Sequence, residues 1–225
     1  MSGLITVTSY TTDVVTDSEV KLALRIPTGD STHNTLIGTC KDAATSVVME
    51  MTQRTFTQET LKLGIDAYPY GYGFGDDANF PNTEGLTVGP YMDVANRVIY
   101  LPRPPLISVD HVKTFDADSN ATTIAASTYY VDNLAPIPRI ILKSGNTWTN
   151  LLRVANAIEV TYKAGYGTAA SSVPVPIKQA IITMAVNYFE NPEPILKGET
   201  TNNVSGLITS LLRPYRVSRF GIGFS

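Results

Sequence analysis

The chain has 225 residues, of which 43% are hydrophobic and 16% are charged, with a formal net charge of −3. This composition suits one globular domain with a sizeable core, and the net charge does not favour binding to nucleic acid or to a membrane surface. The single cysteine, Cys40, excludes an intrachain disulfide framework and a multi-cysteine zinc site. Because no apolar run is long enough to cross a bilayer and no signal peptide opens the sequence, we expect a protein that is made and used without export.

The N-terminal region is predicted to form an extended arm followed by a short helix. Residues 1–12 alternate and are rich in β-branched side chains, which is typical of an edge strand. Thr16 and Glu19 have the spacing of a capping box, so we expect a helix that ends near Pro27.

A longer second helix is predicted after a start signal at residues 30–32. Apolar residues recur at helical spacing over 36–51 and include Cys40, which we interpret as a small core residue. Arg54 lies near the expected C-terminus, where a cation interacts favourably with the helix dipole.

Short β-branched and aromatic runs, separated by proline-rich or polar turns, dominate the middle of the chain. They predict strands over residues 56–65, 96–101, 107–115, 122–131, 139–142 and 158–163. The polar stretch 116–120 is interpreted as a hairpin turn, and Trp148 is expected to plug one end of the sheet. Since helices and strands are segregated along the chain, we predict an α+β fold with a mainly antiparallel sheet.

The segment 68–93 is rich in Gly, Tyr, Asn and Pro and shows no sustained period. It is predicted to be a long loop or flap with a short hairpin. Tyr70, Tyr72 and Phe74 alternate with small or turn-forming residues and could form an adaptable contact loop. A disordered insertion is the alternative interpretation.

A strand, a Gly-rich stop and a proline-started helix follow one another over residues 157–190. Pro174 and Pro176 suit the first turn of a helix, because a missing N–H costs nothing there. The sequence Asn191-Pro192 is expected to end that helix.

We expect a single α+β domain over residues 1–191, followed by a linker, a short helix interrupted by Gly206 and an extended tail over 192–225. The tail is apolar and basic, so it must fold back on the domain or bury itself in a partner, and we favour partner docking. We also expect the core to fold without residues 204–225. The candidate docking residues are Leu207, Leu211, Leu212, Arg213, Tyr215, Arg216, Arg219 and Phe220.

No constellation of residues predicts catalysis, a metal site or a cofactor site. His33 lies at a helix start, where capping or exposure is the simplest interpretation, and His111 follows Asp110 in a strand, which should point the two side chains to opposite faces. Stretches 76–79 and 116–120 carry oxygen side chains that could each bind Ca²⁺, but 116–120 lacks the later glycine and the distant glutamate of an EF-hand loop.

The order of motifs along nearly the whole chain resembles the head–tail connector (adaptor, or head-completion) proteins of tailed bacteriophages. The motifs are TDSEVKLALRI (16–26), VIYLPRPPLISVDHVKTFDAD (98–118), STYYVD (127–132), IEVTYKAGYG (158–167), VPVPIKQAIITMAVNYFE (173–190) and LLRPYR (211–216). Segment 68–93 departs from the shorter members of the family as an insertion.

The resemblance implies a structural virion protein without catalytic activity or cofactors. It implies a ring, typically of twelve copies, that lies beneath the portal protein, extends the DNA channel without reading DNA sequence and offers a platform for the next neck or tail protein. C-terminal segments of such adaptors engage the portal. The implied location is the neck of the virion, and the host cytoplasm during assembly. The acidic first hundred residues suggest a channel wall that repels DNA.

Three alternatives stay open from the sequence. The chain could be another virion ring protein, such as a tail-terminator or baseplate component. Less favoured are a Cys hydrolase that uses Cys40 and a glycan-binding module that uses the aromatic residues of 68–75.

Overall fold

The computed structural model describes residues 3–8, 12–66, 98–146, 153, 155–191 and 200–217. These residues group into two compact units. The strand unit contains residues 3–8 and the described residues from 59 to 165, and the helical unit contains the described residues from 12 to 58 and from 166 to 217.

The strand unit is built from antiparallel pairs. In chain order the strands are β1 (Gly3–Thr8), β2 (Glu59–Ile65), β3 (Val98–Tyr100), β4 (Leu106–Phe115), β5 (Ala121–Ile124), β6 (Tyr129–Asp132), β7 (Arg139–Leu142) and β8 (Ile158–Ala164). Within the described residues they form a five-stranded sheet, ordered β1-β2-β8-β4-β5, and a three-stranded sheet, ordered β3-β7-β6. The arm predicted at the N-terminus is therefore an edge strand.

Strand β8 lies at the centre of the larger sheet, between β2 and β4. Its residues Ile158, Val160 and Tyr162 are completely buried, as the alternating pattern predicts. They share one apolar core with residues of the smaller sheet, such as Ile99 and Ile140. The Tyr162 hydroxyl satisfies its hydrogen-bonding potential in this core by donating to the Pro102 carbonyl at 2.7 Å.

The helical unit contains four α-helices within the described residues. They are α1 (Asp17–Ala23), α2 (Asn34–Thr52), α3 (Val175–Glu190) and α4 (Thr200–Leu212). The predicted capping box is present, because the Glu19 N–H donates to the Thr16 hydroxyl and the Glu19 carboxylate accepts from the Thr16 N–H. Helix α3 starts directly after Pro174, with Pro176 in its first turn.

The predicted strand over 122–131 is wrong, because the structure divides this stretch between two sheets. Strand β5 pairs with β4 in the large sheet, and β6 pairs with β7 in the small one. A turn of 3₁₀-helix, Ala126–Thr128, separates them, and both the N–H and the hydroxyl of Thr128 donate to the Ala125 carbonyl. The small residues in this turn supply little side-chain packing to hold a continuous strand, so each half pairs with a different neighbour.

The α+β fold class with antiparallel sheets is confirmed. The grouping into units differs from the division expected at residue 191, since α4 packs in the helical unit. Independent folding of 1–191 stays a prediction. None of the helices in the described ranges is long and apolar enough to cross a membrane. The expectations for segment 68–93 and for Trp148 fall outside the described residues.

Candidate partner-docking site at the C-terminal helix

The C-terminal helix is continuous through Gly206, where the sequence analysis expected an interruption. A glycine inside a helix costs about 1 kcal/mol relative to alanine. Packing downstream outweighs this cost, because Ile208 and Leu212 are 4% and 3% exposed in the core of the helical unit. Leu211 and Tyr215 pack partly buried against the same core.

Backbone hydrogen bonds hold the residues that follow α4. Arg54 donates from its side-chain Nε to the Tyr215 carbonyl, and the Val217 N–H donates to the Thr52 carbonyl at 3.0 Å. Arg54 therefore anchors the C-terminal segment through a direct contact, beyond the dipole effect expected from its position near the end of α2. Thr52 is the last residue of α2, so this carbonyl is one that a helix leaves without an internal partner.

Tyr166 belongs to the same anchor. Burial raises the pKa of its hydroxyl, and this effect exceeds the opposing effect of the nearby Arg54 guanidinium. Tyr166 thus stays a neutral hydrogen-bonding group next to Arg54 and Tyr215. Apolar packing and polar contacts together hold the segment from α4 to Val217 against the helical unit.

The exposed side of this segment forms the candidate docking surface. Leu207 is 51% exposed, and Arg213, Pro214 and Arg216 are exposed as well. No acidic residue occurs between 206 and 217, so the surface combines one large apolar side chain with two guanidinium groups. Arg and apolar anchors are common at interface hot spots. Arg219 and Phe220 lie outside the described residues.

The structure changes what each predicted docking residue can contribute. Leu212 faces the core, so its side chain supports the helix while the segment is folded in this position. Residues 200–217 fold back on the helical unit, which was the less favoured alternative for the tail. Deletion of residues 204–225 would remove Ile208 and Leu212 from the core, and folding of the remaining chain stays a prediction. Docking by the exposed residues stays a prediction.

A second candidate surface lies on α2, where the sequence pattern predicted only core residues. Leu36, Val47 and Met51 were counted with the core stripe, yet they are 49%, 38% and 36% exposed. With the exposed Ala43 they form one edge of the helix, which we name the outer strip of α2. The available signal was the width of the apolar stripe, which exceeds what one packed face needs.

The buried cysteine does not have the environment of a nucleophile. Cys40 lies in α2 with 7% of its surface exposed, and burial raises the pKa of its thiol. The reactive form of cysteine is the thiolate, which this environment disfavours. The core interpretation of Cys40 is confirmed.

The two histidines occupy structural positions. His33 is exposed at the N-cap of α2, makes no side-chain capping bond and contacts the Phe189 ring edge-on at 5.7 Å between ring centroids. His111 lies opposite Thr161, and a bulge precedes it at Asp110. Asp110 therefore reaches Lys163 at 3.6 Å on the same side of the sheet as His111, which corrects the expectation of opposite faces.

The stretch 116–120 is the polar hairpin turn that the sequence predicts. The Asp116 carboxylate accepts from the N–H and the side-chain amide of Asn120, at 2.7 and 3.0 Å. These hydrogen bonds lower the pKa of Asp116. Across the described ranges, no group of three or more His, Cys, Asp or Glu residues could hold a metal ion. Residues 76–79 are outside those ranges.

Solved structures with the same fold include chains from gene transfer agent particles. No protein-family model matches the sequence, and no curated protein matches it. A chain from the neck of an empty gene transfer agent (GTA) particle, computed with C6 symmetry, has a TM-score of 0.74 at 19% identity and covers 99% of this chain and 100% of its own. A chain from the virion of a native GTA particle has a TM-score of 0.71 at 19% identity, with 98% of each chain covered.

The third similar chain comes from the neck of a native GTA particle computed with C12 symmetry. Its TM-score is 0.65 at 17% identity, over 99% of this chain and 100% of the other. Likeness at this level of identity establishes a shared fold. Since each alignment spans almost the full length of both chains, the whole described α+β arrangement belongs to that fold.

Proposed function

We propose that this chain is a structural neck protein of a phage-like particle, a head–tail connector that forms a ring beneath the portal. The observation that carries the proposal is the fold, which this chain shares over at least 98% of its length with chains from the neck or virion of GTA particles. The motif order that resembles phage adaptors supports the same conclusion from the sequence.

In the proposed assembly, identical chains surround the DNA channel and join the capsid portal to the next neck or tail protein. The C6 and C12 symmetries of the similar neck structures support a ring, and twelve copies is the number we propose. A ring of identical chains requires a heterologous interface that closes on itself. The protein acts without catalysis or a cofactor, and it resides in the virion neck after assembly in the host cytoplasm.

The portal is the proposed partner of the C-terminal docking surface. Leu207, Arg213 and Arg216 supply an apolar contact and two cations for it, while Ile208 and Leu212 keep the helix in place. Arg219 and Phe220, which lie outside the described residues, stay predicted members of the docking set.

Cryo-electron microscopy of the particle that contains this chain tests the proposal. Density for the chain as a ring between portal and tail is the expected result. Density at the distal end of the tail, or in the baseplate, would instead support the alternative of a tail-terminator or baseplate ring.

Binding to the portal protein of the same particle tests the docking surface separately. We expect Arg213→Glu combined with Arg216→Glu to weaken co-elution with the assembled portal, because both charges are reversed on an exposed surface. Arg25→Glu, at an exposed arginine elsewhere in the helical unit, is the matched control and should leave co-elution unchanged. Equal binding by all three proteins would contradict portal docking through this segment.

A further inference from the structure

The outer strip of α2 is an apolar surface that is partly exposed to solvent. Leu36, Ala43, Val47 and Met51 fall on one edge of the helix, next to the buried face that carries Ile37, Ala44 and Val48. From Leu36 to Met51 the strip is about 22 Å long at the rise of an α-helix, and the buried Cys40 interrupts it between Leu36 and Ala43. A strip of this length is a suitable centre for a protein interface, with polar residues around it.

A second apolar surface occurs on the three-stranded sheet. Val98 and Tyr130 both pair with Ile141, so one row of side chains crosses all three strands. The row lies opposite the buried Ile99 and Ile140, and Tyr130 is 60% exposed. We name Val98, Ile141 and Tyr130 the sheet row.

The sheet row is as long as one helix is wide, and the two surfaces carry charges of opposite sign. The sheet row crosses three neighbouring strands, so its length is about 10 Å, which is the diameter of one α-helix. Glu50 is exposed beside the outer strip, and Lys143 borders the sheet row with its ammonium 4.7 Å from the centroid of the Tyr130 ring. An acidic border thus faces a basic border when the apolar surfaces meet.

We infer that the outer strip of α2 in one copy packs on the sheet row of the next copy, and that this contact closes the ring. The inference rests on the proposed function, because it names the subunit interface of that ring. Two different surfaces of the same chain form a heterologous contact, which is the kind that generates rings under rotational symmetry. The occupant of the strip is therefore a second copy of this chain.

Cysteine cross-linking in purified particles tests the contact directly. Cys40 is the single native cysteine and is buried, so added thiols dominate the reaction. We expect the double variant Val47→Cys with Tyr130→Cys to give a ladder of linked chains with a short bis-maleimide. The control Leu22→Cys with Tyr130→Cys uses a 75% exposed leucine on α1 and should give no ladder.

Failure of the proposed interface and failure of the proposed function give different results. A ring at the neck in which the double variant gives no ladder would overturn the interface and leave the proposed function standing. Cross-linked dimers from Val47→Cys alone would also overturn it, because they indicate a two-fold contact between identical strips. A chain that occurs in the particle without any ring would overturn both.

A charge introduced into the strip provides a second readout that does not depend on cross-linking geometry. Val47→Glu should reduce the ring-bound fraction of the protein at least tenfold, whereas Leu22→Glu should leave it unchanged. Circular dichroism of both purified variants checks that each is folded. Folded Val47→Glu protein that enters rings like wild type would overturn the inference.

Discussion

Lys41 illustrates how the helical unit holds a buried cation. Its ammonium lies 2.6 Å from Asp13 Oδ2 and 2.7 Å from Asp17 Oδ1, and 7% of the residue is exposed. Burial alone would lower the pKa of Lys41, but the hydrogen bonds and charges of the two carboxylates outweigh it and the pKa is raised. A raised pKa means that this contribution to stability is complete at neutral pH and is lost only as pH rises through the folded pKa.

Removing the two carboxylates should lower the free energy of unfolding more than removing the Lys41 ammonium does. Asp13→Asn combined with Asp17→Asn leaves a buried ammonium with only the exposed Asp42 carboxylate, 4.0 Å away, and we expect a loss of about 3 kcal/mol in the free energy of unfolding. Lys41→Met leaves two half-exposed carboxylates and should cost about 1 to 2 kcal/mol, a smaller loss since water still solvates them. Urea unfolding measures both.

Asp42→Asn is the control for this comparison. Its carboxylate lies 4.0 Å from the Lys41 ammonium and its side chain is 66% exposed, so we expect a change below about 0.5 kcal/mol. A larger loss for Lys41→Met than for the double aspartate variant would contradict the idea that the buried ammonium is the costly group to leave unpaired.

Glu59, at the start of β2, is a buried charged group for which the cost of burial exceeds the stabilisation by its neighbours. Burial raises the pKa of its carboxyl, and the charge of Arg103 offsets only part of that effect. A carboxyl with a raised folded pKa binds its proton more tightly in the folded state, so stability falls as pH rises from the ordinary Glu pKa through the folded value.

Glu59→Gln should therefore raise the stability of the strand unit at neutral pH and flatten its pH dependence just above the ordinary Glu pKa. Thermal unfolding across that pH range, compared with wild type, measures both effects. Glu159→Gln is the control, since Glu159 is paired with Lys62 at 3.1 Å on the polar side of β8. A Glu59→Gln variant that is less stable than wild type at neutral pH would contradict this expectation. It would show that nearby groups stabilise the Glu59 carboxylate by more than its burial costs.

At the scale of elements, α4 depends on its buried side more than on its local helix propensity. It contains Gly206 and a Thr- and Asn-rich first turn, and these residues favour a helix only weakly. Most helical stability in proteins comes from tertiary packing. Ile208 and Leu212 provide that packing, and Leu207 is free to serve the docking surface.

Two leucines of α4 should respond very differently to truncation. Leu212→Ala removes a side chain that is 3% exposed, and we expect a loss of about 3 kcal/mol in the free energy of unfolding. Leu207→Ala, on the exposed side, should change it by less than about 0.5 kcal/mol. The midpoint of urea unfolding, followed by circular dichroism, measures both, and equal losses would mean that α4 does not pack as described.

At the scale of the whole molecule, the charge asymmetry along the sequence does not separate the two units. The first hundred residues carry six basic and twelve acidic residues. Yet the described residues of the helical unit include seven of each, and those of the strand unit also include seven of each. The acidic channel wall suggested by the sequence stays a prediction, because four of those acidic residues, Asp76, Asp77, Glu84 and Asp93, lie outside the described residues.

The balanced charges of the described residues and the net charge of −3 of the whole chain predict weak interaction with DNA. Since neither set of described residues has a net positive charge, we expect little counterion release to drive non-specific binding and no mobility shift of a DNA duplex at physiological salt. The purified full chain and a short duplex are sufficient for the measurement. A shift that weakens steeply with added salt would reveal a phosphate-binding surface and contradict this expectation.

Elements with strong local signals were predictable from the sequence. The capping box of α1, the proline start of α3 and the alternation of β8 each depend on residues within one or two turns or along one strand. The break at residues 126–128 was not predictable, because the same β-branched pattern continues on both sides and only the choice of pairing partner divides it.

At the candidate site, too, some features were predictable from the sequence and others depended on tertiary packing. The sequence alone determined that the C-terminal segment is apolar and basic, that Cys40 suits a core, and that the helices and strands are segregated. Tertiary structure decided which apolar residues are available to partners. Leu207 and Leu212 are the same residue type on one helix, and so are Val47 and Val48, yet packing buries Leu212 and Val48 and exposes the other two. Periodicity places residues on a helix face, but only the neighbouring elements determine where that face ends.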